Sequence, residues 1–146
     1  MPALPEWARA LGKPLIEAQI RVAPEDFRVT ELCDIEFSGD GEHDFLWVRK
    51  TGQNTQWVAE RIAEYAEVPV RDVGFAGMKD RRAVTQQWFS VRRARQCDWT
   101  VFTADGIEVL EHCRHHRKLR RGAHSGNAFS IALRSPSLGP RFEEIE

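Results

Sequence analysis

The sequence predicts an α+β fold built on a mixed, largely antiparallel sheet with flanking helices. Segments in which polar and apolar residues alternate outnumber segments with helical spacing, and both periodicities occur in one chain. No internal repeat or low-complexity tract interrupts them. At 146 residues and 42% hydrophobic content, the chain has the size of one globular domain with enough apolar residues for a core.

The N-terminal third predicts three strands. Residues 18–22 and Phe27–Leu32 alternate between polar and apolar side chains, and Pro24 between them ends the first extended segment, which indicates a strand, a turn and a strand. A loop with two glycines and an aspartate precedes residues 44–50, which alternate as the third strand.

The clearest helical pattern covers Thr55–Ala66. Val58 and Ile62 recur at helical spacing along it, Asn54 is a suitable N-cap, and Pro69 follows just beyond the end. This segment is predicted to be an amphipathic helix.

Four more strands are predicted after the helix, at residues 72–77, 86–93, 107–113 and 127–133. Residues 79–85 then form the connection between two of these strands. After Pro140 the sequence resembles the acidic first turn of a helix, which the chain does not continue beyond Glu146. The pattern therefore indicates a domain that is incomplete.

Charge is distributed unevenly along the chain although the net charge is only −1. Residues 1–78 carry 8 Lys and Arg against 14 Asp and Glu, whereas residues 79–125 carry 11 against 5. The basic middle third forms either a positive face that binds a polyanion or an ordinary solvated surface.

Cysteine content and hydropathy bear on the compartment. Cys33, Cys97 and Cys113 are odd in number and lack paired spacing, which favours a reducing cytoplasm. No N-terminal apolar run has signal-peptide length, and no apolar stretch approaches the ~20 residues that span a bilayer.

Several reaction classes lack their motifs. Gly74, Gly77 and Lys79 miss the spacing of a phosphate-binding P-loop, and no serine lies in a nucleophile-elbow sequence. Residues 111–116 are rich in potential metal ligands, but neighbouring strand residues point to opposite faces and no second ligand pair has zinc spacing. No metal site is therefore predicted.

A basic segment, residues 116–124, precedes the last predicted strand. Its Arg and Lys side chains suit phosphate binding, although a solvent-exposed hairpin end is the alternative. Asn127 and Phe129 follow on one face of a strand, where an amide and an aromatic ring could bind a base. They could equally be a turn residue and a core residue.

Asp80 lies between Lys79 and Arg81 in the segment GFAGMKDRRAVTQQW, residues 74–88. Positive neighbours favour the ionised form of a carboxylate, which would suit a nucleophile or base better than a general acid. A single acid without a carboxylate partner does not match a glycosidase, and surface salt bridging is the alternative role.

This segment resembles the signature A-G-x-K-D-x-x-A-x-T-x-Q of the TruD family of tRNA pseudouridine synthases. Two further blocks agree in order and spacing: residues 20–31 resemble the I-K-x-x-P-E-D-F-x-V-x-E block, and residues 117–131 the K-L-R-x-G…G-N-x-F block. The resemblance covers nearly all of the chain.

The resemblance implies a role for each matching residue. Asp80 corresponds to the essential aspartate that attacks or deprotonates the nucleoside. Phe27 corresponds to the aromatic residue near the active site, Asn127 to the asparagine that hydrogen-bonds the base, and Phe129 to the ring that replaces the tyrosine of other pseudouridine synthases. Arg21 stands where the family often has lysine, and is expected to pair with Asp80.

Lys79 is also predicted to bind RNA. Together with the glycines before it, Lys79 belongs to the turn that is expected to bring Asp80 close to the nucleoside. The resemblance implies no metal and no organic cofactor.

The substrate implied by the resemblance is tRNA, with uridine 13 as the target. TruD proteins are longer than this chain, so residues 1–146 are expected to be the N-terminal part of a catalytic domain, without the family's insertion domain. We expect weak or no activity from this part alone, and self-association, or binding of the missing part, through an open sheet edge. A non-catalytic RNA-binding module is the alternative.

Overall fold

The computed structural model describes residues 16–93 and 95–138, together with positions 8, 10 and 12. In chain order, its elements are β1 (Ile16–Gln19), β2 (Phe27–Leu32), β3 (His43–Thr51), α1 (Thr55–Ala66), β4 (Val73–Phe75), β5 (Val84–Arg92), β6 (Ile107–His115), β7 (Gly126–Ile131) and β8 (Arg134–Leu138). Single 3₁₀ turns at Pro24–Asp26 and Val70–Asp72 precede β2 and β4.

The main sheet is mixed and mostly antiparallel. Its strand order is β6-β3-β5-β2-β7, with β4 paired to the second half of β5, and β2–β5 is its parallel pair. The predicted α+β class is thereby confirmed. Within the described residues, α1 is the α-helix of the fold.

The expected strand, turn and strand are present as β1, the first 3₁₀ turn and β2, although β1 covers Ile16–Gln19 and not residues 18–22. Strand β1 pairs with β8, a strand that local patterning did not predict, and the two form a separate ribbon. Asp26 connects that ribbon to the main sheet, because its carboxylate accepts two hydrogen bonds of 2.7 Å from the Arg134 guanidinium. The guanidinium beside it lowers the pKa of Asp26 below its ordinary value.

Helix α1 has the predicted boundaries. The Asn54 side chain accepts a hydrogen bond of 2.7 Å from the Trp57 backbone N–H, which caps the first turn. At the other end Glu67 adopts a left-handed conformation with φ of 57°. The buried face of the helix, which includes Ile62, packs in the same cluster as Leu46 and Phe89 of the sheet.

The basic segment crosses one end of the sheet. Because β6 and β7 occupy opposite edges, residues 116–125 run between edges and do not form a hairpin end. Buried Leu119 anchors the segment, with its N–H donating to Ser90 Oγ at 2.9 Å. A Cβ on Gly74 would lie 2.3 Å from the Leu119 carbonyl oxygen, so glycine is needed there for the segment to pack.

Two further sequence expectations concern the C-terminal helical turn and membrane-spanning segments. The helical turn predicted after Pro140 lies outside the described residues. In the part of the chain that the structure describes, no helix is both long and apolar enough to span a bilayer.

Candidate active site

Asp80 lies on the loop that connects β4 to β5. Its side chain is 50% exposed, and one carboxylate oxygen lies 3.3 Å from the Arg21 guanidinium. The pair expected between these two residues is present, although 59 positions separate them in the sequence.

Arg21 is held by contacts on both sides of its guanidinium. Its Cζ atom lies 3.9 Å from the centroid of the Phe27 ring, a cation–π distance, while the other contact is the ion pair with Asp80. Arg21 also has a positive φ of 56°, a strained conformation for a residue with a Cβ. Backbone strain of this kind persists where surrounding contacts determine the conformation.

The Phe27 ring connects this ion pair to strand β7. Its centroid lies 6.0 Å from that of Phe129, within the range of aromatic pairs. Phe27 is buried, whereas Phe129 is 60% exposed and leaves much of its ring open to solvent. Asp80, Arg21, Phe27 and Phe129 therefore form one continuous row of contacts.

The cations adjacent to Asp80 in sequence serve other partners. Lys79 is buried and its ammonium lies 3.0 Å from Glu31, and the Arg81 Nε donates to the Gly52 carbonyl at 3.1 Å. The local sequence suggests Lys79 or Arg81 as the cation beside the Asp80 carboxylate, but the cation that contacts it is Arg21. Burial also places the Lys79 ammonium behind the surface, away from direct contact with a polyanion.

The ion pair between Arg21 and Asp80 is weak because solvent screens both charges. Both side chains are substantially exposed, at 39% and 50%, and exposed pairs of this kind contribute about 0–1 kcal/mol to stability. A ligand that brings its own groups to Asp80 can therefore displace Arg21 at small cost.

Asn127 and Phe129 lie on β7, which runs antiparallel to β2. Phe129 is opposite Val29 and Asn127 is opposite Glu31. The Asn127 side-chain oxygen is buried and has no hydrogen-bond partner among the described residues. Because this oxygen has almost no exposed surface, the base contact predicted for Asn127 requires its side chain to move, and that contact stays a prediction.

A buried polar network supports the loop from below, and local sequence patterns did not assign it this role. The Thr55 hydroxyl accepts a hydrogen bond from the Lys79 backbone N–H at 2.9 Å, and contacts Gln87 at 3.1 Å. Gln87 in turn donates to the Gly77 carbonyl at 3.0 Å. A signal was available: strand alternation places Glu31 and Gln87 on the buried faces of β2 and β5.

Metal coordination finds no support in the described part of the chain, where no group of three or more ligating side chains is assembled. Burial raises the pKa of the Cys113 thiol to about 11, which disfavours the thiolate that would bind a metal.

The family model for tRNA pseudouridine synthase D (TruD) matches residues 8–145. A tRNA pseudouridine synthase D from Methylococcus capsulatus is 53% identical over 135 residues, which are 91% of this chain and 38% of the relative. The corresponding enzyme from Cellvibrio japonicus is 48% identical over 134 residues, 88% of this chain and 40% of the relative.

The chain therefore spans about two fifths of the length of these relatives. Among solved structures, a Methanosarcina mazei protein assigned to TruD superposes with a TM-score of 0.73 at 25% identity, covering 81% of this chain and 27% of that one. Sequence and fold agree: the chain belongs to the TruD family of tRNA pseudouridine synthases.

Proposed function

We propose that this chain is the N-terminal part of the catalytic domain of a tRNA pseudouridine synthase, with Asp80 as the catalytic residue. The observation that carries the proposal is the row of contacts from Asp80 through Arg21 and Phe27 to Phe129. It places an accessible carboxylate and an exposed aromatic ring in one row of side chains, as isomerisation of a flipped nucleoside requires.

The proposed reaction is an internal rearrangement of uridine. The C1′–N1 bond breaks, the detached uracil rotates, a C1′–C5 bond forms, the C5 proton is removed and N1 gains a proton. Atoms and electrons balance without an oxidant, a reductant or a group donor. The half-exposed Asp80 carboxylate would attack or deprotonate the nucleoside, after Arg21 has oriented it.

The surrounding residues would bind the extruded base. Extrusion from the stack costs a few kcal/mol, and stacking on an aromatic ring returns about 1–3 kcal/mol per base. The exposed Phe129 ring is suited to that stacking, and Asn127 on the same strand would accept a hydrogen bond from a uracil N–H once its buried oxygen turns toward the base. Buried Phe27 and Lys79 would act from behind, by holding Arg21 and the loop.

The basic segment would bind the phosphates of the tRNA. A groove of about 480 Å³ lies between it and helix α1. Four basic residues and no acidic residue line this groove: Arg71, Lys118, Arg120 and Arg121. Because Leu119 and Gly122 fix the backbone of the segment through hydrogen bonds to Ser90 and Ala76, its cations are held in place before RNA binds.

The proposal assigns full activity to a longer protein. Strand β7 is an unpaired edge of the described sheet, where Phe129 and Ile131 on the strand, and Leu133 just beyond its end, are exposed. We expect residues C-terminal to this chain to cover that edge, and the chain alone to be weakly active and prone to self-association there. A reducing cytoplasm, where tRNA is modified, remains the expected compartment.

The test compares two forms of the protein. One is the 146-residue chain, and the other is a chimaera in which it replaces the matching part of the Methylococcus capsulatus relative. Pseudouridine formation is measured on unmodified tRNA. We expect conversion by the chimaera, and its loss in Asp80→Asn with tRNA affinity retained.

A matched variant removes another exposed aspartate. Asp105→Asn in the chimaera should convert tRNA at the parental rate, because Asp105 lies in the turn before β6. Full activity of Asp80→Asn would refute the catalytic assignment, and a chimaera that binds tRNA without converting it would favour the RNA-binding alternative. Full turnover by the 146-residue chain would refute the need for a longer protein.

The target position, uridine 13, comes from the family resemblance and has its own test. The chimaera is given tRNA in which cytidine replaces uridine 13, and modified positions are mapped. Conversion should disappear with that substrate, whereas conversion at another uridine would contradict the proposed specificity.

A further inference from the structure

Lys50 is a fully buried lysine at the end of β3. Alternation along the strand places it on the same face as Leu46 and Val48, which belong to the main apolar cluster. Burying an ammonium group is unfavourable unless its donors are satisfied, so the contacts of Lys50 require an explanation beyond packing.

The Lys50 ammonium donates to three backbone carbonyls. It lies 2.8 Å from the oxygen of Gln53, 2.8 Å from that of Asp80 and 3.3 Å from that of Lys79. An ammonium has three N–H donors, so each has an acceptor. Lys50 thereby joins the β3–α1 turn to the backbone of the loop between β4 and β5 that carries Asp80.

We propose that Lys50 is a positioning residue for Asp80: by binding the carbonyl oxygens of Lys79 and Asp80, its ammonium fixes the backbone from which the Asp80 carboxylate reaches Arg21 and the nucleoside. The inference rests on the proposed function in one respect, that Asp80 is the reacting group. The tether itself is a property of the fold.

The electrostatic environment makes the tether sensitive to pH. Burial lowers the pKa of Lys50 to about 8, with the negative charge of Asp80 acting to raise it and the ammonium of Lys79 acting to lower it. The other groups that contact or pair with Lys50 are neutral: the Gln53 carbonyl, and Thr85 opposite it on β5. As the pH rises through about 8, the ammonium becomes an amine with two N–H donors for three acceptors.

The first test uses the 146-residue chain and amide hydrogen exchange. Lys50→Met removes the ammonium at similar side-chain volume, and should accelerate exchange of the Lys79 amide, which donates to the Thr55 hydroxyl, by about tenfold or more, since hydrogen bonds to charged groups are the stronger class. Amides of α1 should change much less. Equal acceleration in α1 and in the loop would mean a general structural role and overturn the proposal, as would no acceleration in the loop.

The matched control is Arg49→Met on the same strand. Arg49 is the adjacent cation, it is 42% exposed, and it forms an ion pair with Glu108 on β6. Its replacement removes one positive charge without touching the loop, so exchange of the Lys79 amide should stay at the parental rate.

A second measurement needs no variant and covers the case in which Lys50→Met does not fold. The Asp80 carboxylate ¹³C resonance of the parental chain should shift with a midpoint near pH 8, as Lys50 loses its proton. Loop exchange relative to α1 should rise over the same range. A flat resonance and a constant ratio would overturn the proposal.

Catalysis separates positioning from binding. In the chimaera, Lys50→Met should lower kcat about 100-fold, because small misplacement of a reacting group has effects of that size, while KM stays within about twofold. Lys50→Arg should restore part of kcat, and Arg49→Met should match the parent. A raised KM with unchanged kcat would overturn the assignment. If Asp80→Asn stays active while Lys50→Met still loosens the loop, the proposed function fails and the tether stands.

Discussion

The middle and the C-terminal end of strand β3 contrast in what they contribute to the protein. Its middle, with Leu46 and Val48, is fully buried beneath α1 in the main apolar cluster. Its C-terminal end, at Lys50, meets the Asp80 loop, where exposed and buried polar groups replace apolar packing. The first region stabilises the fold, and the second gives up stability to present a carboxylate.

The difference teaches how a carboxylate is kept accessible on a stable scaffold. The exposed ion pair of Asp80 contributes about 0–1 kcal/mol, so little stability is lost when a substrate displaces it. The network beneath, which includes Thr55 and Gln87, is buried and hydrogen-bonded, so the loop backbone stays fixed. Buried contacts therefore hold the loop backbone in place, while the Asp80 carboxylate at its surface stays accessible.

The largest expected effect breaks the stabilising region. Phe89→Ala removes a fully buried ring from the main cluster, and should lower the free energy of unfolding by about 3–5 kcal/mol. Urea denaturation measures it. Phe129→Ala, which removes an exposed ring, should change the same quantity by less than about 0.5 kcal/mol. Equal losses in both variants would contradict the division into two regions.

A similar loss of stability is expected at the buried ion pair between Glu31 on β2 and Lys79 in the Asp80 loop. Glu31→Gln retains an acceptor for the Trp88 N–H but leaves the buried Lys79 ammonium without its carboxylate. Breaking a buried pair in this way costs about 3–5 kcal/mol. The double variant Glu31→Gln/Lys79→Met removes both charges and should recover most of that loss. If the losses measured for Glu31→Gln and Lys79→Met alone simply add in the double variant, the pair is not coupled.

The smallest expected effect sharpens the comparison on the substrate side. In the chimaera, Phe129→Ala should weaken tRNA binding by about 1–3 kcal/mol through loss of base stacking, with little loss of stability. Fluorescence anisotropy at fixed salt measures the affinity. Val101→Ala, at an exposed apolar residue outside the site, is the control and should bind as the parent does. Unchanged affinity in Phe129→Ala would remove this ring from the proposed interface.

Local pattern predicted much of the fold because its information is local. Helix α1 follows from the spacing of Val58 and Ile62 and from the cap at Asn54, which depend on residues within one or two turns. Six strands after residue 26 were placed near their observed positions for the same reason, since alternation is a property of each segment. The pairing of β1 with β8 was missed because it joins segments more than 100 residues apart.

By itself, the sequence determined the helix, most strands, the family and the place of Asp80 in the family's motif, because motif and periodicity are written in consecutive residues. Only the tertiary structure decided that the cations beside Asp80 in the chain leave the contact to Arg21, the partner that the family resemblance indicated. Lys79 and Arg81 are adjacent in the chain yet turn to Glu31 and Gly52, while Arg21 arrives from another element. Side-chain partners depend on which segments the sheet brings together, and long-range packing sets that arrangement.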